Sequence, residues 1–144
     1  MAGVVARTRM GPETYIAGES LVGGLLVVPG SGGTAGMVIK AGANATTWLG
    51  VTAYDAEPAT ATGVDTVWGG AYPRIGLDVP RPEVAVIWHG SPKIKFTGAA
   101  NFGDLVYPAA SGTVSTTAGT GRAVGQVIDP AGVASGAMGR VRLF

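Results

Sequence analysis

No window of a dozen residues in this chain carries a helical stripe free of glycine and proline, which closes off helical folds from the outset. The apolar residues come instead in short bursts with a period of two. Lys93-Ile-Lys-Phe96 alternates cleanly, with Ile94 and Phe96 inward and Lys93 and Lys95 outward. The C-terminal Arg140-Val-Arg-Leu143 does the same, with Val141 and Leu143 inward. Both read as antiparallel strands buried on one face. Glu83-Val-Ala-Val-Ile-Trp-His89 is apolar on both faces, Val84, Val86 and Trp88 on one and Ala85, Ile87 and His89 on the other. That pattern predicts a strand covered from both sides. Further strands are predicted over 21–28, 37–40, 48–54, 64–68, 74–79, 104–107, 113–117 and 122–128, separated by turn residues at the spacing of a sandwich or barrel. The best place for a short helical turn is 53–62, weakened by Pro58. Pro80 and Pro82 cannot donate to a ladder, so they place Arg81 in a loop or at an edge. Residues 1–15 lack periodicity and read as an extended arm ahead of a single β-rich domain over 16–144.

Glycine and proline raise the question of disorder, at 25 and 9 residues. A 47% hydrophobic content decides against it, because disordered chains are poor in the residues that offset ordering entropy. The glycines also mark a repeat. Ala17-Gly-Glu-Ser-Leu-Val22 and Phe102-Gly-Asp-Leu-Val-Tyr107 both read glycine, acid, then strand. Trp48-Leu-Gly-Val-Thr52 and Ala123-Val-Gly-Gln-Val127 both read apolar, glycine, strand. Between them lie the hairpin segments 29–36 and 109–121. Gly18 and Gly103 are expected at positive φ, with Glu19 and Asp104 accepting nearby backbone N–H bonds. Two related hairpin units packing into one barrel-like core is the expectation.

Charged residues are only 13% of the chain and balance to +1, too little field to hold nucleic acid. Sparse charge suits a surface covered by copies or partners. The absence of cysteine removes disulfides, thiolate metal sites and cysteine nucleophiles. The longest apolar stretch, 21–28, falls far short of the ~20 residues that span a bilayer. The first residues carry no signal-peptide run, so synthesis in the cytoplasm without export is expected and no membrane partner.

No motif assembles a catalytic centre. Gly30-Ser-Gly-Gly-Thr-Ala35 matches a dinucleotide fingerprint in form, but a strand-like segment follows where a helix is required, so a hairpin tip is the better reading. No G-K-[ST] appears. His89 is the sole histidine, at a strand end, and no G-x-S-x-G elbow accompanies it. Asp55 and Glu57 would share a face in an extended segment, and a solvated loop outweighs an all-oxygen cation site there. Asn44-Ala-Thr46 fits a glycosylation sequon by chance composition. Trp48, Trp68 and Trp88 are spaced like core or interface anchors rather than a ligand platform. The chain is therefore expected to be no enzyme and to need no metal or cofactor.

Taken together, Ala17-Gly-Glu-Ser-Leu-Val, Leu49-Gly-Val-Thr, Asn101-Phe-Gly-Asp-Leu-Val-Tyr-Pro-Ala-Ala-Ser-Gly, Ala123-Val-Gly-Gln-Val and Gly139-Arg-Val-Arg-Leu resemble bacteriophage capsid decoration (cement) proteins. The resemblance covers about 18–143. It implies an all-β, compact antiparallel barrel or β-clip-like domain that binds the major capsid protein on the outer face of an assembled head, as a trimer, and stabilises junctions between capsomers. It carries no catalytic residues. Residues 71–89 depart from the pattern by their length, which marks them as an elaboration touching a neighbour. The implied partner-binding residues are Arg7, Arg9 and Tyr15 on the arm, and Arg81, Trp88 and His89 in or beside the elaboration. Another virion or surface module, a tail or fibre domain or a carbohydrate-binding domain, is the competing reading. It requires an exposed tryptophan in a groove. A small hydrolase using His89 is the third.

Overall fold

The computed structural model describes residues 11–30, 36–58 and 82–144. Five strands, Glu13–Ala17 (β1), Leu26–Pro29 (β2), Met37–Lys40 (β3), Gly50–Thr52 (β4) and Glu83–Ile87 (β5), close a barrel in the order β1-β3-β2-β4-β5. Every neighbouring pair is antiparallel except β1 with β3. Five more follow: Lys93–Lys95 (β6), Leu105–Pro108 (β7), Val114–Ser115 (β8), Gly125–Val127 (β9) and Met138–Leu143 (β10). They form a second, antiparallel sheet in the order β6-β10-β9-β7-β8, and a single parallel bridge from Phe96 to Val114 brings its two edges together. The strand order is the same both times: β6 to β10 stand to one another as β1 to β5 do. The all-β expectation holds, and the repeat is a repeated topology.

Hydrogen bonds fix which residues correspond. Gly24 N–H donates to the Thr52 carbonyl at 2.8 Å, and Gly103 N–H to Val127 at 2.9 Å. Thr52 N–H donates to Leu25, and Val127 N–H to Asp104, both at 2.9 Å. Val27 faces Gly50 in register, as Val106 faces Gly125. Leu21 and Ala56 bond reciprocally, as Ala100 and Val133 do. The motif pair at Gly50 and Gly125 is therefore correctly matched. The other pair is not: the counterpart of Gly103 is Gly24, not Gly18. The left-handed turn that only glycine adopts cheaply is found at Gly24 (φ 84°) and Gly103 (φ 90°), and Gly18 is not among the positive-φ residues. Gly18 is small for another reason, since a side chain there would meet Met37. Glu19 and Asp104 do accept backbone N–H bonds, from Lys40 at 2.6 Å and Asn101 at 2.8 Å.

The core follows from strand alternation. Ala17, Leu21, Val27, Val38, Ala56, Val84 and Val86 fill the first barrel. Their counterparts fill the second unit, with sizes exchanged: Ala17 and Leu21 become Phe96 and Ala100, while Val84 and Ala56 become Gly139 and Val133. The strands covered on both faces are β2 and β4. Val27 points into the first barrel, whereas Leu26, Trp48 and Val51 join the second unit's core. Three backbone bonds dock the units: Lys95 N–H to Gly24, Gly112 N–H to Ala41 and Arg122 N–H to Ala45, at 3.0, 2.7 and 3.1 Å. Burying Leu26 and Val51 completely at this seam contributes roughly 1.5–3 kcal/mol each.

Strand β5 differs from expectation. Val84 and Val86 are buried, but Ala85 and Ile87 are only half-buried, so one face is open. Lys93 and Lys95 point outward over buried Ile94 and Phe96, and Arg140 and Arg142 outward over Val141 and Leu143, as the alternation predicts. Residues 13–15, expected in the arm, belong to β1 and pair with β5, and residues 1–10 lie outside the described residues. No helical turn forms over 53–58, and 59–62 lie outside the described residues; among the described residues the one 3-10 turn is Ala110–Gly112, where Ser111 and Gly112 take positive φ. The strands expected at 64–68 and 74–79 lie outside the described residues.

Thr52 is the one buried polar side chain among the described residues. Its hydroxyl accepts from Leu25 N–H at 3.0 Å and donates to the Val22 carbonyl at 2.7 Å. In the second unit the counterpart of that N–H, on Asp104, bonds to the Asn101 carbonyl instead, so Val127 can replace threonine. Thr52→Val keeps the shape and strands two backbone groups, which should cost about 1–3 kcal/mol in a urea denaturation curve.

Candidate interaction surface

Of the six residues implied as partner contacts, three fall among the described residues. Arg7, Arg9 and Arg81 lie outside the described residues. Tyr15 sits on β1 opposite Val84 and packs, half-buried, against the first barrel's core. It supports the barrel wall. Trp88 and His89 follow β5 and do stand together, with ring centroids 5.6 Å apart and planes tilted by 49°. Trp88 is 40% exposed, and its Nε1–H donates to the Gly11 carbonyl at 3.0 Å. The β1–β5 pairing thus fixes an aromatic corner at the end of the first barrel where the described chain begins.

The other candidates are accounted for by folding. Trp48 is buried, with the Arg122 guanidinium 3.8 Å above its ring, and its Nε1–H donates to the Arg122 carbonyl. This cation–π contact ties the two units together. Trp68 lies outside the described residues. Asp55 accepts from Gly23 N–H at 2.8 Å, and Glu57 accepts from the Ser20 hydroxyl at 2.6 Å, so both carboxylates tie the segment after β4 to the β1–β2 connection. Asn44, at φ 65°, accepts from Thr120 N–H at 3.0 Å. Most of 30–35 is outside the described residues, and the segment after it is strand β3, as a hairpin tip requires. Among the described residues no three His, Cys, Asp or Glu side chains gather as metal ligands.

Sequence reasoning missed the exposed apolar residues. An open groove of about 610 Å³ runs between the units, lined by Gly23, Tyr54, Asp55, Ile87, Lys93 and Met138 among others. Val22, at its edge in sequence, is 51% exposed. On the second unit, Phe102 is 63% and Leu105 is 44% exposed. The period-two signal was there for Leu105, which alternates with buried Val106.

Among the described residues Asp129 carries the one marked electrostatic perturbation. Its carboxylate accepts from the Arg140 backbone N–H at 2.7 Å and from Arg140 Nε–H at 3.1 Å. The backbone bond first, then the side-chain bond, hold its pKa below the ordinary carboxylate value; the charges of Arg140 and Lys93 add to this and slight desolvation opposes it. Stability from this group is complete above the unfolded carboxylate pKa and is lost as pH falls through the lower folded value. Asp129→Asn should remove that acid-side slope from the stability–pH profile, lowering stability at neutral pH and converging with the unmodified chain in acid, where Asp129 is protonated.

Two units of one strand order, one of them a closed barrel, docked through a shared core, define the fold as a duplicated all-β module. No protein-family model and no curated protein matches the chain. Among solved structures, the head fiber gp8.5 N base of bacteriophage phi29 is similar, with a TM-score of 0.62 at 12% identity, covering 92% of this chain and 92% of that one.

Proposed function

We propose that this chain is a structural protein of a phage virion, bound to the major capsid protein on the outer surface of the assembled head, where it stabilises junctions between capsomers. The observation that carries this is the likeness of fold to a phage head-fibre base over nearly the full length of both chains. Sparse charge and exposed apolar side chains on both units support a protein that works by being covered. The chain acts without a catalytic centre, and many weak contacts across a shell add up through multivalency. Purified protein mixed with undecorated mature heads should co-sediment to saturation and raise the temperature at which heads burst. Lack of binding to any head lattice sinks the proposal. The same likeness favours a second reading, in which the chain is the base of a head fibre. A fibre base should bind heads sparsely and leave the bursting temperature where it was.

A further inference from the structure

We propose that the outward face of β7 and β9, built from Leu105, Tyr107 and Gln126 with Phe102 at its rim, is the docking surface for the first barrel of another copy of this chain. The internal repeat carries this. Leu105 faces Gln126 in register as Leu26 faces Val51. Leu26 and Val51 are fully buried because the second unit covers them, while Leu105 is 44% exposed, with no third unit among the described residues to cover it. The face that the second unit covers on the first is thus left open on the second.

Charge decides what fits there. Among the described residues the first barrel carries Glu13, Glu19, Asp55, Glu57 and Glu83 against Lys40. From β6 onward the balance reverses, with Lys93, Lys95, Arg122, Arg140 and Arg142 against Asp104 and Asp129. A head-to-tail contact sets acid against base. A two-fold contact of the same face on both copies sets Arg142 against Arg142. Opposite fields steer and register association, and like charges penalise the wrong arrangement. The element that engages the first barrel within the chain is β6, through Lys95. Its counterpart is β1, where Ile16 replaces Lys95; the Ile16 N–H is already taken by the Gly36 carbonyl at 2.7 Å, so Ile16 offers its apolar side chain, 43% exposed. Ile16 of one copy therefore meets the Leu105 face of the next. Such a heterologous contact generates a ring where the rotation closes. The inference stands independently of any role in a virion.

The chain has no cysteine, so Ile16→Cys and Leu105→Cys each introduce a single thiol. With a short bis-maleimide, a mixture of the two variants should crosslink efficiently, and neither variant alone should do so. The unmodified chain should sediment as an oligomer at micromolar concentration. Leu105→Glu should sediment as a monomer with an unchanged circular dichroism spectrum, its dissociation constant raised ~30-fold or more, as loss of an interface anchor does. Three results overturn the proposal: a monomeric unmodified chain, Leu105→Glu still oligomeric, or single variants crosslinking as well as the mixture.

Discussion

Phe96→Ala should destabilise the protein by about 3–5 kcal/mol, at the top of the range for truncating a buried side chain. Among the described residues Phe96 is the biggest side chain left less than 2% exposed. Its counterpart in the first barrel is already an alanine, Ala17, so the backbone tolerates a small residue there. What differs is the filling around it. Leucine's four side-chain carbons at position 21 complete the first barrel, while the matching position 100 offers only a methyl group. Truncating Phe96 thus leaves a cavity that Ala100 is too short to fill. The repeat also names the remedy. Phe96→Ala with Ala100→Leu rebuilds the first barrel's arrangement inside the second unit, and should recover about 1–2 kcal/mol of the loss, a coupling of the size seen between residues that share a cavity. Guanidinium denaturation of the two single variants and the double variant measures it. Strict additivity would mean that the two units do not share a packing scheme.

How much of this was legible beforehand depended on which signal each residue gave. Strand positions were readable because alternation is a backbone property: Lys93 to Phe96 and Arg140 to Leu143 fell as the period required. Fold class followed from the same signal. The repeat was half legible. Gly50 and Gly125 were matched because the same crowding acts on both, whereas Gly18 was matched to Gly103 on the chemistry of the next residue. The acid after Gly103 has no counterpart after Gly24, because that position is Leu25, buried at the seam between the units. Tertiary burial had erased the motif. The apolar faces of β5 misled for a related reason: an apolar side chain on an open face, such as Ile87 or Trp88, looks in sequence like one on a covered face. Of the site, the Trp88–His89 corner could be anticipated from a strand end. The Leu105 face could not, since its meaning lies in the contrast with Leu26.

Gly125→Val should be nearly as disruptive, for the opposite reason. A side chain at Gly125 would be driven onto the Arg142 carbonyl oxygen and the Val141 Cγ1 of β10. Its counterpart Gly50 faces the same obstacle, the Ile87 carbonyl and the Val86 Cγ1 of β5. The blocking atoms include backbone already committed to a ladder, with Leu143 paired to Gly125 and Arg142 to Gln126. They cannot swing aside as the end of a methionine can. Relief requires β9 and β10 to part, and β10 is the strand that joins β6 to the rest of the second sheet. Overpacking costs typically 1–3 kcal/mol and more where backbone must move, so Gly125→Val should lose about 3 kcal/mol or more. Gly98→Ala is the control. It has nothing within 4 Å of the added carbon and is not among the positive-φ residues. There the substitution only restricts the unfolded chain and should stabilise by about 0.4–1 kcal/mol. Opposite signs for two glycine replacements in one unit, read from the same denaturation series, would show that Gly125 is held by close approach of strands and not by a general need for flexibility. Equal losses at both positions would refute that account.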